Sequence, residues 1–240
     1  MKINEGICHI CCNYKKLSYE HIPPRKAFND IRVKYKGKTL QRGLGGYTLC
    51  EDCNNKMGAY YLNEFVTFVE LIACVYKMDE KYKNSNFGTL EIKENTVNFF
   101  LLAKACLSCI CSLLPIKSVK KCNLNTLLEG KWNTIKGRPK FDILIALSTD
   151  LEGGLTLENK NIDTFNQKIT VLDYWPLKIL FVEDPIKNTE EYYYNFVSIR
   201  NFLKFPEENK YREKFYLYRN KNDFITNLLN KSSLLVSNLE

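Results

Sequence analysis

Two cysteine pairs, Cys8-x-x-Cys11 and Cys50-x-x-Cys53, lie near the start of the chain with 38 residues between them. Each CxxC turn offers two sulfurs from one tight loop, and two such turns supply the four thiolates of a tetrahedral Zn²⁺. A closed Cys₄ shell has no position for water, so such a zinc is structural. Metal binding would add folding free energy to a segment too short to hold itself together by apolar burial. His9 and Cys12 compete as ligands in the first knuckle, where Cys8 and Cys11 have the better spacing. Between the pairs stands Glu20-His21, and His21 is the only histidine apart from His9. An imidazole can take a proton from water near neutral pH. A carboxylate suits a hard cation such as Mg²⁺ or Mn²⁺. Neighbours in a regular strand point to opposite faces, so a bend must occur before both can serve one site.

The elements that position these groups are legible from periodicity and turn chemistry. Residues 1–60 read as short extended pieces and turns, with breaks at Ile22-Pro23-Pro24 and Gly43-Leu44-Gly45-Gly46. The glycine cluster is the turn into the second knuckle and not a phosphate loop, because no Gly-Lys-Ser/Thr follows it. Apolar spacing predicts a helix over 59–82 and a second over 96–114, with Asn95 as its cap and Pro115 as its stop. A short helical turn is expected at 125–128. Strands are expected at 141–148, 168–172, 177–182 and 215–218, and helices at 190–205 and 223–235. The sequence thus predicts an α+β protein. A small basic module over 1–62, with helix 59–82 leading out of it, precedes a larger mixed α+β domain over 91–240.

The 240 residues carry a formal net charge of +8 with 45% hydrophobic residues, which argues against a disordered chain. Residues 1–60 hold eleven Lys/Arg against five Asp/Glu, so +6 of that charge lies in the first quarter. A positive field concentrated in this way suits a polyanion. No apolar stretch follows the basic start, so a secretory signal is not expected and the reading is a cytoplasmic protein without a membrane span. In a reducing compartment the ten cysteines are metal ligands, core residues or free thiols rather than a disulfide framework. Cys74, Cys106, Cys109 and Cys111 fall in apolar helical patterns and read as small buried hydrophobes. Cys122 stands on a short polar connection. The aromatic run Tyr192-Tyr193-Tyr194 with Phe196 could stack bases, but such a helix face is more often packed core or a subunit contact.

The order Cys8-x-x-Cys11, Glu20-His21-Ile22-Pro23-Pro24, then Leu49-Cys50-x-x-Cys53-Asn54-Asn55-Lys56-x-Gly58 resembles the zinc-stabilised branch of the HNH (ββα-metal) endonucleases. The resemblance covers roughly residues 7–61. It implies a metal-dependent endonuclease hydrolysing phosphodiester bonds, with His21 as general base and Glu20 and Asn54 as ligands of a catalytic Mg²⁺ or Mn²⁺. Asn55 is the alternative ligand if the register differs by one. Arg25, Lys26, Arg42 and Lys56 are phosphate contacts on this reading, and the partner is nucleic acid, double-stranded DNA first. Two departures stand out. Glu20 replaces the usual Asp, and the middle Asn has no match because residues 31–49 contain neither Asn nor His. Tyr47 or Thr48 occupies that neighbourhood. The rival readings are a catalytically silent zinc-stabilised binding or adaptor module, and a sensor acting through residues 91–240. That second domain would be regulatory, dimerising or substrate-positioning, which leaves a homo-oligomer open.

Overall fold

The computed structural model describes residues 4–29, 33–35, 38–40, 43–78, 87–92, 96–129, 131, 140–148, 155–162, 167–185, 196–203 and 215–220. It is a mixed α/β architecture, consistent with the α+β expectation. Strands β1 (Glu5–Ile7), β2 (Tyr14–His21) and β5 (Gly45–Cys50) form a three-stranded sheet in the order β1-β2-β5. Between β2 and β5 lies a small hairpin of β3 (Val33–Tyr35) and β4 (Lys38–Leu40).

Helix α1 (Glu51–Tyr60) follows β5 directly, and α2 (Leu62–Met78) follows α1 after a 50° bend. The helix expected over 59–82 is therefore corrected: it starts at Leu62 and a separate helix precedes it, with 79–82 outside the described residues. The apolar stripe was the wrong guide to the first of these, because α1 buries only Cys53 and Met57 and is otherwise polar. The break falls at Tyr61, whose backbone N–H still reaches Met57 O at 3.0 Å while its own φ of −120° leaves the helical region. Beyond it, α2 turns Phe65, Phe68, Val69 and Ile72 inward at helical spacing, and all four are fully buried.

Helix α3 (Phe99–Leu113) is buried from Leu102 to Ser112 without interruption. An element apolar on all sides belongs at the centre of a core, and α3 occupies that place. Its cap is Asn98 rather than the expected Asn95, with the Asn98 side chain accepting from Leu101 N at 3.2 Å. Glu64 of α2 fixes that end by accepting the Asn98 N–H at 2.6 Å. Leu114 is extended, as a residue before proline prefers, and Pro115 opens α4 (Ile116–Lys121), followed by α5 (Leu124–Leu128).

Strand β6 (Phe87–Ile92) pairs with β12 (Phe215–Asn220), and the largest sheet runs β11-β7-β10-β9-β8, antiparallel throughout. Its members are β7 (Phe141–Leu147), β8 (Leu155–Ile162), β9 (Gln167–Tyr174), β10 (Leu177–Glu183) and β11 (Val197–Ser198). The expected helix over 190–205 is not seen in its described part. There Val197-Ser198 pair with Ile145 and Leu144 of β7, and a 3₁₀ turn spans Arg200–Leu203. Local propensity lost here to a non-local strand edge. Phe196 is buried, whereas 192–194 and the expected helix over 223–235 lie outside the described residues.

One face of β7 and β10 turns Phe141, Ile143, Ile145, Ile179 and Phe181 into the main core, and the other turns Leu144, Ala146, Leu180 and Val182 into a second cluster. Burial on both faces explains the apolar stretches 143–147 and 179–182 of these strands. The main core also contains Cys8, Ile10, Ile22 and Leu49, so it is continuous from the cysteine knuckles through α3 to the sheet. Phe28 meets Trp175 edge-on at 5.0 Å, and His9 Nδ1 lies 2.9 Å from Cys111 O. Cys106, Cys109 and Cys111 are buried as expected, but Cys74 is exposed on α2. Among the described residues, no single helix is long and apolar enough to cross a membrane.

Candidate metal centre and adjoining cavity

The three-stranded sheet explains how cysteines 38 residues apart meet. Strands β1 and β5 both run antiparallel to the central β2, so their C-terminal ends fall at the same end of the sheet. Cys8 follows β1 and Cys50 ends β5, opposite Leu17. The first knuckle closes through Cys12 N to Cys8 O and Cys8 N to Asn13 O, each 2.9 Å, with Cys12 in the left-handed region at φ 58°. His9 N donates to Thr48 O at 2.9 Å and ties that knuckle to β5.

The four sulfurs of Cys8, Cys11, Cys50 and Cys53 all lie within 4.8 Å of one another. Cys11 Sγ and Cys50 Sγ are 3.9 Å apart, close to the ~3.8 Å edge of a tetrahedron with Zn–S bonds of about 2.3 Å. The Cys8 thiol is lowered to about 4, first by a hydrogen bond from Cys53 and further by the backbone N–H groups around it. Cys53 is raised by the same contact. The donor set and its spacing fit a metal ion, and soft thiolates fit zinc. Of the two competitors, His9 bonds to the core helix instead, and the Cys12 thiol points to Ile10 O at 4.0 Å.

At the other end of β2, a cavity of about 260 Å³ is lined by Glu20, His21, Arg25 and Asn54, among others. Glu20 and His21 both line the cavity, although they pair in regular register with Gly46 and Gly45 of β5. The ladder slips at Ser18/Tyr19, His21 is the last residue of the strand, and the chain then turns through Ile22-Pro23-Pro24. Helix α1 runs back along β2, and Asn54 Nδ2 donates to Ser18 Oγ at 3.1 Å. That bond orients the Asn54 amide. Asn55 is exposed on α1 and does not line the cavity. The far wall is Ser108 and Cys109 of α3, so residues beyond 91 build part of the site.

Burial pushes the Glu20 carboxyl up to about 7, against the opposing effect of the hydrogen bond from Thr48. The Thr48 hydroxyl donates to Glu20 Oε1. Desolvation, with a smaller contribution from the Arg25 charge, lowers His21 below the ordinary histidine value. Both effects favour the neutral imidazole, the form a base needs. Its Nδ1 is buried and makes no hydrogen bond to the described residues. Neither neighbour considered for the missing Asn serves His21: Thr48 is engaged by Glu20, and the Tyr47 ring lies against Tyr19. Among the basic residues, Arg25 reaches the cavity, Lys26 and Lys56 are exposed outside its lining, and Arg42 lies outside the described residues.

Sequence reading missed Asn29, a buried residue that clamps the loop after His21. Its Nδ2 donates to Pro23 O at 2.6 Å and to Leu44 O at 2.8 Å, and its Oδ1 accepts from Leu44 N at 2.8 Å. The glycine cluster was the available signal. Gly43 adopts φ +77°, and a Cβ there would sit 1.8 Å from Asn29 O. A Cβ on Gly45 would sit 2.4 Å from Glu20 O, so both glycines are dictated by what crosses them.

Comparison of the chain with protein-family models, curated proteins and solved structures returns no match.

Proposed function

We propose that the chain is a metal-dependent endonuclease hydrolysing phosphodiester bonds of nucleic acid, with double-stranded DNA as the first candidate. The observation that carries this reading is that Glu20, His21, Asn54 and Arg25 line one cavity, although three separate elements supply them. The HNH-like spacing around these residues supports the same reading, as does the basic first quarter of the chain.

His21 takes the proton from the attacking water. Glu20 and Asn54 present two oxygens to a Mg²⁺ or Mn²⁺ ion. Such an ion supplies charge stabilisation at the phosphate and the leaving oxygen. Thr48 holds the Glu20 carboxyl in place, and Ser18 does the same for Asn54. Arg25 meets the phosphate, with Lys26, Arg42 and Lys56 further along its path. The Cys₄ zinc is structural: it joins the ends of β1 and β5 and thereby fixes β2, which carries Glu20 and His21. Because α3 supplies Ser108 and Cys109, the region 91–240 positions substrate in addition to any regulatory role.

The test is supercoiled plasmid incubated with Mg²⁺ or Mn²⁺ and the zinc-loaded protein. Nicking or linearisation is expected with wild type and a loss of at least about 100-fold with His21→Ala. An inactive wild type leaves the binding or adaptor reading in its place, and an equally active His21→Ala variant with intact zinc overturns the proposed catalytic site.

A further inference from the structure

The edge of the cavity carries a feature that hydrolysis does not require. Tyr19 lines the cavity and stands directly opposite Tyr47 across the β2–β5 ladder. The two rings meet edge to face at 5.4 Å and 74°, and both remain about half exposed, at 47% and 48%. Tyr19 also meets the His21 ring edge-on at 5.4 Å and 86°. The three rings thus form a continuous line from the general base out to solvent. Gly45 belongs to this arrangement, because a Cβ there would lie 2.6 Å from the Tyr19 hydroxyl oxygen. Arg25 is exposed at the same cavity.

Half-exposed aromatic rings beside a cation match an unpaired nucleotide: its base offers a flat π-face and its phosphate a negative charge. Bases within a duplex are stacked on each other and hide those faces, so tyrosines at this position gain nothing from intact double helix. We propose that Tyr47 and Tyr19 form a stacking platform for an unpaired base next to the phosphate held at His21. The substrate is then nucleic acid that is single-stranded at the point of attack, such as an overhang, a gap or a bulge within a duplex. This rests on the nuclease reading and narrows its substrate.

The test separates the two. Fluorescence anisotropy with zinc-loaded protein, without added Mg²⁺ or Mn²⁺, compares a labelled 12-nucleotide single strand with the same sequence as a blunt duplex. The single strand is expected to bind at least about tenfold tighter. Tyr47→Ala should abolish that preference and Tyr47→Phe should keep it, with unchanged zinc content and circular dichroism in both. Equal or tighter binding of the blunt duplex, no binding of either oligonucleotide, or an unaffected Tyr47→Ala variant overturns the platform. A change in self-association of Tyr47→Ala by sedimentation, without a change in oligonucleotide binding, also overturns it and makes the face a contact between copies. Tyr47-dependent binding without cleavage of any oligonucleotide in Mg²⁺ or Mn²⁺ sustains the platform and removes the nuclease. His21-dependent cleavage that ignores Tyr47 does the reverse.

Discussion

Asn29 holds Leu44 by both of its backbone polar groups: its Oδ1 accepts the Leu44 N–H and its Nδ2 donates to the Leu44 carbonyl, each at 2.8 Å. The same Nδ2 reaches Pro23 O, and Ile22 N donates to Leu44 O at 2.9 Å. The two ends of the chain that flank His21 are thereby locked together, fifteen residues apart in sequence at this clamp.

Asn29→Ala removes three hydrogen bonds at a residue only 2% exposed. Each unsatisfied buried group costs about 1–3 kcal/mol, and partial relaxation brings the expected loss to roughly 2–4 kcal/mol in urea unfolding. Zinc content should be unchanged, because the knuckles close at the opposite end of β2. A loss below ~0.5 kcal/mol would show that the clamp is incidental.

Glycine substitutions should split by position. Gly43→Ala must displace Asn29 O from 1.8 Å and accept a φ of +77°, so it should destabilise by several kcal/mol or abolish folding. Gly58 lies inside α1 with nothing within 4 Å of a Cβ, so Gly58→Ala should stabilise by about 0.5–1 kcal/mol. Thermal melts of the two variants decide this, and shifts of the same sign contradict it.

Zinc chelation, or Cys50→Ser, should lower the melting temperature sharply, since the four sulfurs join the ends of two strands that share only β2 as a neighbour. Cys12→Ser, one residue from a ligand, should retain one zinc per chain. Elemental analysis of the purified variants distinguishes these outcomes. Zinc retained in Cys50→Ser, or lost in Cys12→Ser, would move the ligand set.

Lys104 is buried in α3, where its ammonium donates to Leu128 O at 2.9 Å and lies 5.2 Å from the Tyr61 ring centre and 4.9 Å from that of Phe100. Desolvation lowers it below the ordinary lysine value. Between that lowered value and the unfolded value near ~10.4, the unfolded chain holds the proton more tightly than the native one. Stability of wild type relative to Lys104→Met should therefore rise as pH climbs through that window. The Tyr61 phenol beside it is itself raised by its burial. Urea unfolding of both proteins at neutral pH and near pH ~10 measures the difference. A fall with pH would mean that the site favours the ammonium.

The cysteine pairs, the Glu20-His21 dipeptide and the buried strands were readable in the chain itself because their signals are local. Spacing places two sulfurs on one turn, and apolar runs mark elements buried on both faces. Helix α1 escaped periodicity because its stripe consists of only Cys53 and Met57. Residues 197–203 escaped because their conformation answers to β7, more than fifty residues away.

Residue types, their spacing and the basic first quarter determined what chemistry is available: four thiolates, one imidazole beside a carboxylate, and an amide. Only the tertiary structure decided which of these groups meet. The parallel run of β1 and β5 on either side of β2 gathers the sulfurs, and the end of β2 at His21, with α1 packed beside it, brings Glu20, His21 and Asn54 to one cavity. A helix some ninety residues further on closes that cavity with Ser108 and Cys109. Such meetings depend on loop closure and burial of distant segments, energies that belong to no single stretch of sequence.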